Sequence, residues 1–114
     1  MKGQDAVVKR VRSIEIGKQA KKELQSLPEP IRNQFLVALE NVSWGLDPGL
    51  RVTHLTTVDK GVIELKINGR PAYRLIYTVK LPGKVVVLVA RSKTTEGQDK
   101  KLLEVAASRL KDRQ

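Results

Sequence analysis

Cysteine is absent from this chain, and histidine occurs once, as His54. Disulfides, thiolate metal sites and His-cluster metal sites are excluded on that ground. Aromatic residues are scarce: one Trp, one Phe and two Tyr among 114 residues. That is too few for a platform on which single-stranded bases stack. No apolar run approaches the roughly 20 residues that a membrane-spanning helix needs, so no membrane partner is expected. The opening residues Met1-Lys-Gly-Gln-Asp lead into no signal-peptide core, which points to a cytoplasmic protein. Gly-rich phosphate loops are missing, and Asp and Glu are not clustered as a two-metal nuclease requires. No cofactor is implied.

Positive charge is abundant. Lys and Arg number 22 against 12 Asp and Glu, a net charge of +10. An excess of that size concerns partners rather than fold; nucleic acid, a ribosome surface, an anionic membrane surface or an acidic protein would all be drawn to it. The length suits a single domain over residues 1–114 with one modest core. Residues 1–8 read as a flexible or extended lead-in.

The stretch Val62-Ile-Glu-Leu-Lys-Ile-Asn-Gly-Arg-Pro-Ala-Tyr-Arg-Leu-Ile-Tyr77 reads as two strands around a turn. Alternation puts Ile63, Leu65 and Ile67 on one face, and Glu64 and Lys66 on the other. In the second strand Tyr73, Leu75, Tyr77 and Val79 share a face, with Arg74 opposite. Asn68-Gly69 predicts a hairpin turn, because both residues tolerate positive φ. One sheet face is then apolar and the other carries fixed cations, which suits a polyanion.

Val7, Val8, Val11 and Ile14 among Lys9, Arg10 and Arg12 predict a first strand over 6–14, at an edge where its charges face water. Ala20, Leu24 and Leu27 mark a short helix from Lys18 to Leu27, stopped by Pro28. Ile31, Phe35, Ala38, Leu39 and Val42 form the stripe of a second helix that runs to about Trp44. Residues 50–60 are a loop or short edge strand. Strands follow at 62–68 and 72–80. The run Val85-Val-Val-Leu-Val-Ala90 reads as a central strand buried on both faces. Thr94 or Thr95 is placed to cap a last helix over 97–111, buried through Leu103, Ala106 and Leu110. The order β-α-α-β-β-β-α is an α+β fold, with a helical hairpin on one face of a mostly antiparallel sheet.

That order, together with Leu24-Gln-Ser-Leu-Pro-Glu-Pro-Ile-Arg32, Gly61-Val-Ile-Glu-Leu-Lys66, Tyr73-Arg-Leu-Ile-Tyr77, Ser92-Lys93 and Ala106-Ala-Ser-Arg-Leu110, resembles the RelE/ParE superfamily of type II toxins. The phage-derived, HigB-like branch is the nearest in pattern. The resemblance implies a ribosome-associated, metal-independent endoribonuclease that cuts mRNA. It also implies a cognate antitoxin with a helix-turn-helix DNA-binding domain, docked on the basic face, the β1 edge or the helix pair 18–44. A minority branch poisons DNA gyrase instead. Arg91-Ser92-Lys93-Thr94 stands where the branch usually has an aromatic residue before a Lys-Lys pair. That departure keeps a gyrase poison or a catalytically degenerate binding module as the second reading.

RNA is cut without metal when its 2′-OH attacks the adjacent phosphate. The catalyst takes that proton, stabilises the phosphorane and helps the 5′-oxygen leave. Arg74, on a rigid strand, is the leading phosphate binder, and its bland alternative is a buried ion pair with Glu64. Lys66 is a candidate base or phosphate ligand, or a solvated partner of Glu64. Arg91 and Lys93 share parity and suit a phosphate clamp or acid, or a solubilising rim. Glu64 is the one carboxylate in this group, either a general base or an orienting partner. Arg70, His54 and Lys60 complete the set as RNA contacts. His54 as a lone loop histidine, and Arg70 at the hairpin tip, have plain structural readings as well.

Overall fold

The computed structural model describes residues 9–93, 97 and 99–113. The elements are β1 (Ser13–Ile16), α1 (Lys18–Ser26), α2 (Glu29–Ser43), β2 (Arg51–His54), β3 (Val62–Ile67), β4 (Ala72–Thr78), β5 (Lys84–Lys93) and α3 (Lys100–Lys111). One five-stranded sheet has the order β1-β5-β4-β3-β2. β1 runs parallel to β5, and the other neighbours are antiparallel. The α+β class is the expected one, but the order β-α-α-β-β-β-β-α has one strand more than expected: β2 forms within residues 50–60, read from the sequence as a loop or short edge strand.

Each helix ends where its sequence dictates. Pro28 follows α1, and α2 carries Pro30 in its first turn, where a missing N–H costs nothing. α2 stops at Trp44, after which Gly45 takes φ +77. The Asp99 side chain caps α3 by accepting the N–H of Leu102. Arg109 and Lys111 lie in its last turn, favourable to the helix dipole. The cap therefore falls on Asp99; Thr94, Thr95 and the lead-in 1–8 lie outside the described residues.

Two apolar layers hold the sheet. Ala20, Leu24, Phe35 and Leu39 of α1 and α2 pack on Leu65, Leu75, Tyr77, Val85, Val87 and Ala90. Leu102, Ala106 and Leu110 of α3 cover Val62, Ile76, Val86, Leu88 and Val89 on the opposite face. The second face is thus apolar where α3 covers it, with Lys66, Arg74 and Arg91 at the end that α3 leaves open.

Two local expectations need correction. β1 occupies Ser13–Ile16, not 6–14. Ahead of it, Arg10 pairs with Glu40 and sits 5.3 Å from the Trp44 ring, and the Val11 and Arg12 N–H groups donate to Ser43 O. Those residues satisfy their backbone on the end of α2 instead of on the sheet. The β3–β4 hairpin is not a two-residue turn at Asn68-Gly69. Four residues, Asn68 to Pro71, separate the strands, and Asn68 has no positive φ. Pro71 lacks the N–H that would extend the ladder, and Asn68 spends its side chain on Arg74. A feature that the sequence does not mark is a bulge in β5: Tyr77 pairs with Val87 and Ile76 with Val89, leaving Leu88 as an extra residue. Strict alternation from Val85 would point Arg91 and Lys93 towards α1. The extra residue turns both to the other face.

Candidate phosphate-binding site

The bulge brings four cations into line. Across the sheet, Arg51 on β2 opposes Lys66 on β3, Lys66 opposes Arg74 on β4, and Arg74 opposes Arg91 on β5. Directly paired residues project to the same side. The row therefore crosses the face just beyond the N-terminal end of α3. Lys93 projects from the same face one pair further along, opposite Ala72. Glu64 lies on the other flank of the row, two residues before Lys66 on β3.

Arg74 is 7 % exposed. Its Nη1 donates to Tyr73 O at 2.9 Å and Ile67 O at 3.4 Å, and its Nη2 to Asn68 Oδ1 at 3.2 Å. The planar fork clamps the hairpin loop while Nε faces Glu64 Oε2 at 3.9 Å. That separation is beyond hydrogen-bond length. Burial accordingly pushes the Glu64 carboxyl above its usual range. The charges of Arg74, Lys66 and Lys93 pull it down without outweighing burial, and Asp99 adds to the rise. A partly buried carboxylate with a raised pKa, ringed by cations, has the character of a general base.

Arg91 is held from behind. Its Nε and Nη2 donate to Glu23 Oε2 at 3.1 and 3.0 Å. Glu23 also accepts from Arg109 and from the backbone N–H of Ala90, while Arg109 donates to Leu88 O at 2.8 Å. β1 ends opposite Val87. Beyond it, Glu23 and Arg109 satisfy the open edge of β5 in place of a strand. Burial alone would raise the Glu23 carboxyl; the hydrogen bonds from Arg109, Arg91 and Ala90 together hold it below its usual range. The Arg91 side chain remains 38 % exposed, with Nη1 outside these bonds.

Of the expected site residues, Lys66, Arg74, Arg91, Lys93 and Glu64 are brought together on one face. His54 is not among them. It pairs with Ile63, which packs with the α1–α2 core, and so projects from the opposite side. Lys60 sits in the β2–β3 turn, where its N–H donates to Asp59 Oδ1. Arg70 is exposed at the hairpin tip. Arg51 and Glu23 were not singled out from the sequence. Arg51 lies in a polar stretch with no alternation, and only the strand register reveals its alignment. Glu23 is one charge on an amphipathic helix, and no local signal marks it.

Residues 22–111 match the family described as phage-derived protein, Gp49-like. No curated protein matches the chain. Among solved structures it is similar to a chain in the crystal structure of the toxin–antitoxin complex RelBE2 from Mycobacterium tuberculosis. The identity is 19 %, the TM-score 0.48, and the match covers 75 % of this chain and 95 % of that one.

Proposed function

Because this chain belongs to the phage-derived Gp49-like family of RelE/HigB-type toxins, we propose that it arrests growth by cutting mRNA on the ribosome. The observation that carries this is the row of opposed cations with Glu64 on its flank. Glu64 takes the 2′-OH proton as the 2′-oxygen bonds to phosphorus. Lys66 and the free edge of Arg91 stabilise the charge on the phosphorane. Lys93 protonates the 5′-oxygen as the P–O bond breaks. The products are a 2′,3′-cyclic phosphate and a 5′-hydroxyl. Arg74 positions the hairpin and faces Glu64, so its part is orientation. No metal enters these steps. A cognate antitoxin with a helix-turn-helix DNA-binding domain is the protein partner.

A second reading, a gyrase poison or non-catalytic binder, draws on Arg91, two of whose nitrogens are already committed to Glu23. Expression in a bacterium, wild type beside Lys66→Ala, separates the two. New mRNA 5′ ends that vanish in the variant support the nuclease. Growth arrest with intact mRNA supports the alternative.

A further inference from the structure

Arg51 extends the cation row to the β2 edge, outside the groups assigned to chemistry. The four strands place Arg51 and Arg91 three strand spacings apart, on the order of 14 Å. That distance spans a run of nucleotides, not a single phosphate. Like charges directly opposed across strands repel, and this row contains three such pairs in succession: Arg51 with Lys66, Lys66 with Arg74, Arg74 with Arg91. Glu64 answers Arg74, and Glu23 answers Arg91. Among the described residues no ion pair answers Arg51 or Lys66. Their repulsion is relieved by an anion that covers both.

The surroundings also set a direction. Glu64, with Asp99 close enough to act on its charge, forms an acidic flank towards α3. A polyanion that ran along the strands would meet that flank. One that ran across them stays on the row and leaves over β2, the edge strand of the sheet among the described residues. Given the nuclease reading, on which this rests, we infer that single-stranded RNA crosses the sheet at right angles to the strands. Arg51 then binds a backbone phosphate away from the bond that is cut.

The test uses a short fluorescein-labelled single-stranded RNA with 2′-O-methyl riboses, which binds without being cut. Its affinity for the full chain is measured by anisotropy over a range of salt for wild type, Arg51→Ala and Lys111→Ala. Lys111 is an exposed cation at the far end of α3 and matches the charge change. Arg51→Ala is expected to weaken binding several-fold and to lower the slope of log K against log salt by about 0.7, one single-strand phosphate contact. Lys111→Ala is expected to leave that slope unchanged. With cleavable RNA, Arg51→Ala raises KM and leaves kcat intact.

An unchanged slope for Arg51→Ala, an equal loss in Lys111→Ala, or no RNA binding by wild type overturns the inference. RNA bound with an Arg51-dependent slope but never cut defeats the nuclease reading and leaves the track standing. RNA cut with KM and slope indifferent to Arg51 does the reverse.

Discussion

Glu64 and Arg74 lie 3.9 Å apart on neighbouring strands, close enough to attract and too far to hydrogen-bond. Burial therefore governs the carboxylate and raises its pKa above the ordinary 4.5. As a general base, Glu64 must be ionised. Activity should fall on the acid side at a higher pH than an ordinary carboxylate would give. In Glu64→Gln that limb should disappear along with most of the rate. The profile of kcat/KM against pH checks both.

The same shift has a stability consequence of definite sign. A raised folded-state pKa means that the folded chain holds this proton more tightly than the unfolded chain. The stabilisation is complete below 4.5 and is lost as pH rises through the raised value. Urea melts should show Glu64→Gln gaining on wild type as pH climbs through that window. A relative loss by the variant there would contradict the assigned burial.

Glu23 behaves oppositely. Its lowered pKa gives stability that is present above 4.5 and is lost as pH falls through the folded value. Glu23→Ala strands Arg91, Arg109 and the Ala90 N–H at an open sheet edge. We expect a cost of about 2 kcal/mol at neutral pH, read from the urea midpoint, with the difference from wild type shrinking in acid. Hydrogen exchange at Ala90 should rise in the variant.

Arg74→Ala removes three hydrogen bonds from the hairpin loop. A destabilisation of about 2 kcal/mol is expected, with faster amide exchange over residues 67–73. Arg74→Lys should recover little of it, because an ammonium cannot reproduce the planar fork. Loss of activity in Arg74→Ala must therefore be read beside its melting curve.

Much of this architecture was legible. The alternation of Ile63, Leu65 and Ile67 against Tyr73, Leu75, Tyr77 and Val79 located the hairpin and its apolar side. The unbroken Val85 to Ala90 run located a doubly covered strand. What escaped reading depends on register. A single extra residue at Leu88 decides which face Arg91 and Lys93 take, and nothing in the Val-rich run marks it. Arg51 joins the row only through pairing with Lys66, set by contacts between strands. Arg10 and Arg12 read as strand charges because partners on α2 are distant in sequence. The Asn-Gly signal was overridden by Pro71 two residues later.

The most direct measurement is the chemistry of the cut ends. Ribosomes programmed with one mRNA would be incubated with wild type, Lys66→Ala and Glu64→Gln, and the RNA termini identified. The account predicts 2′,3′-cyclic phosphate and 5′-hydroxyl ends in wild type. It also predicts a rate loss on the order of a hundredfold or more in Glu64→Gln. Intact mRNA in the presence of a folded chain, or cleavage indifferent to both substitutions, would contradict it.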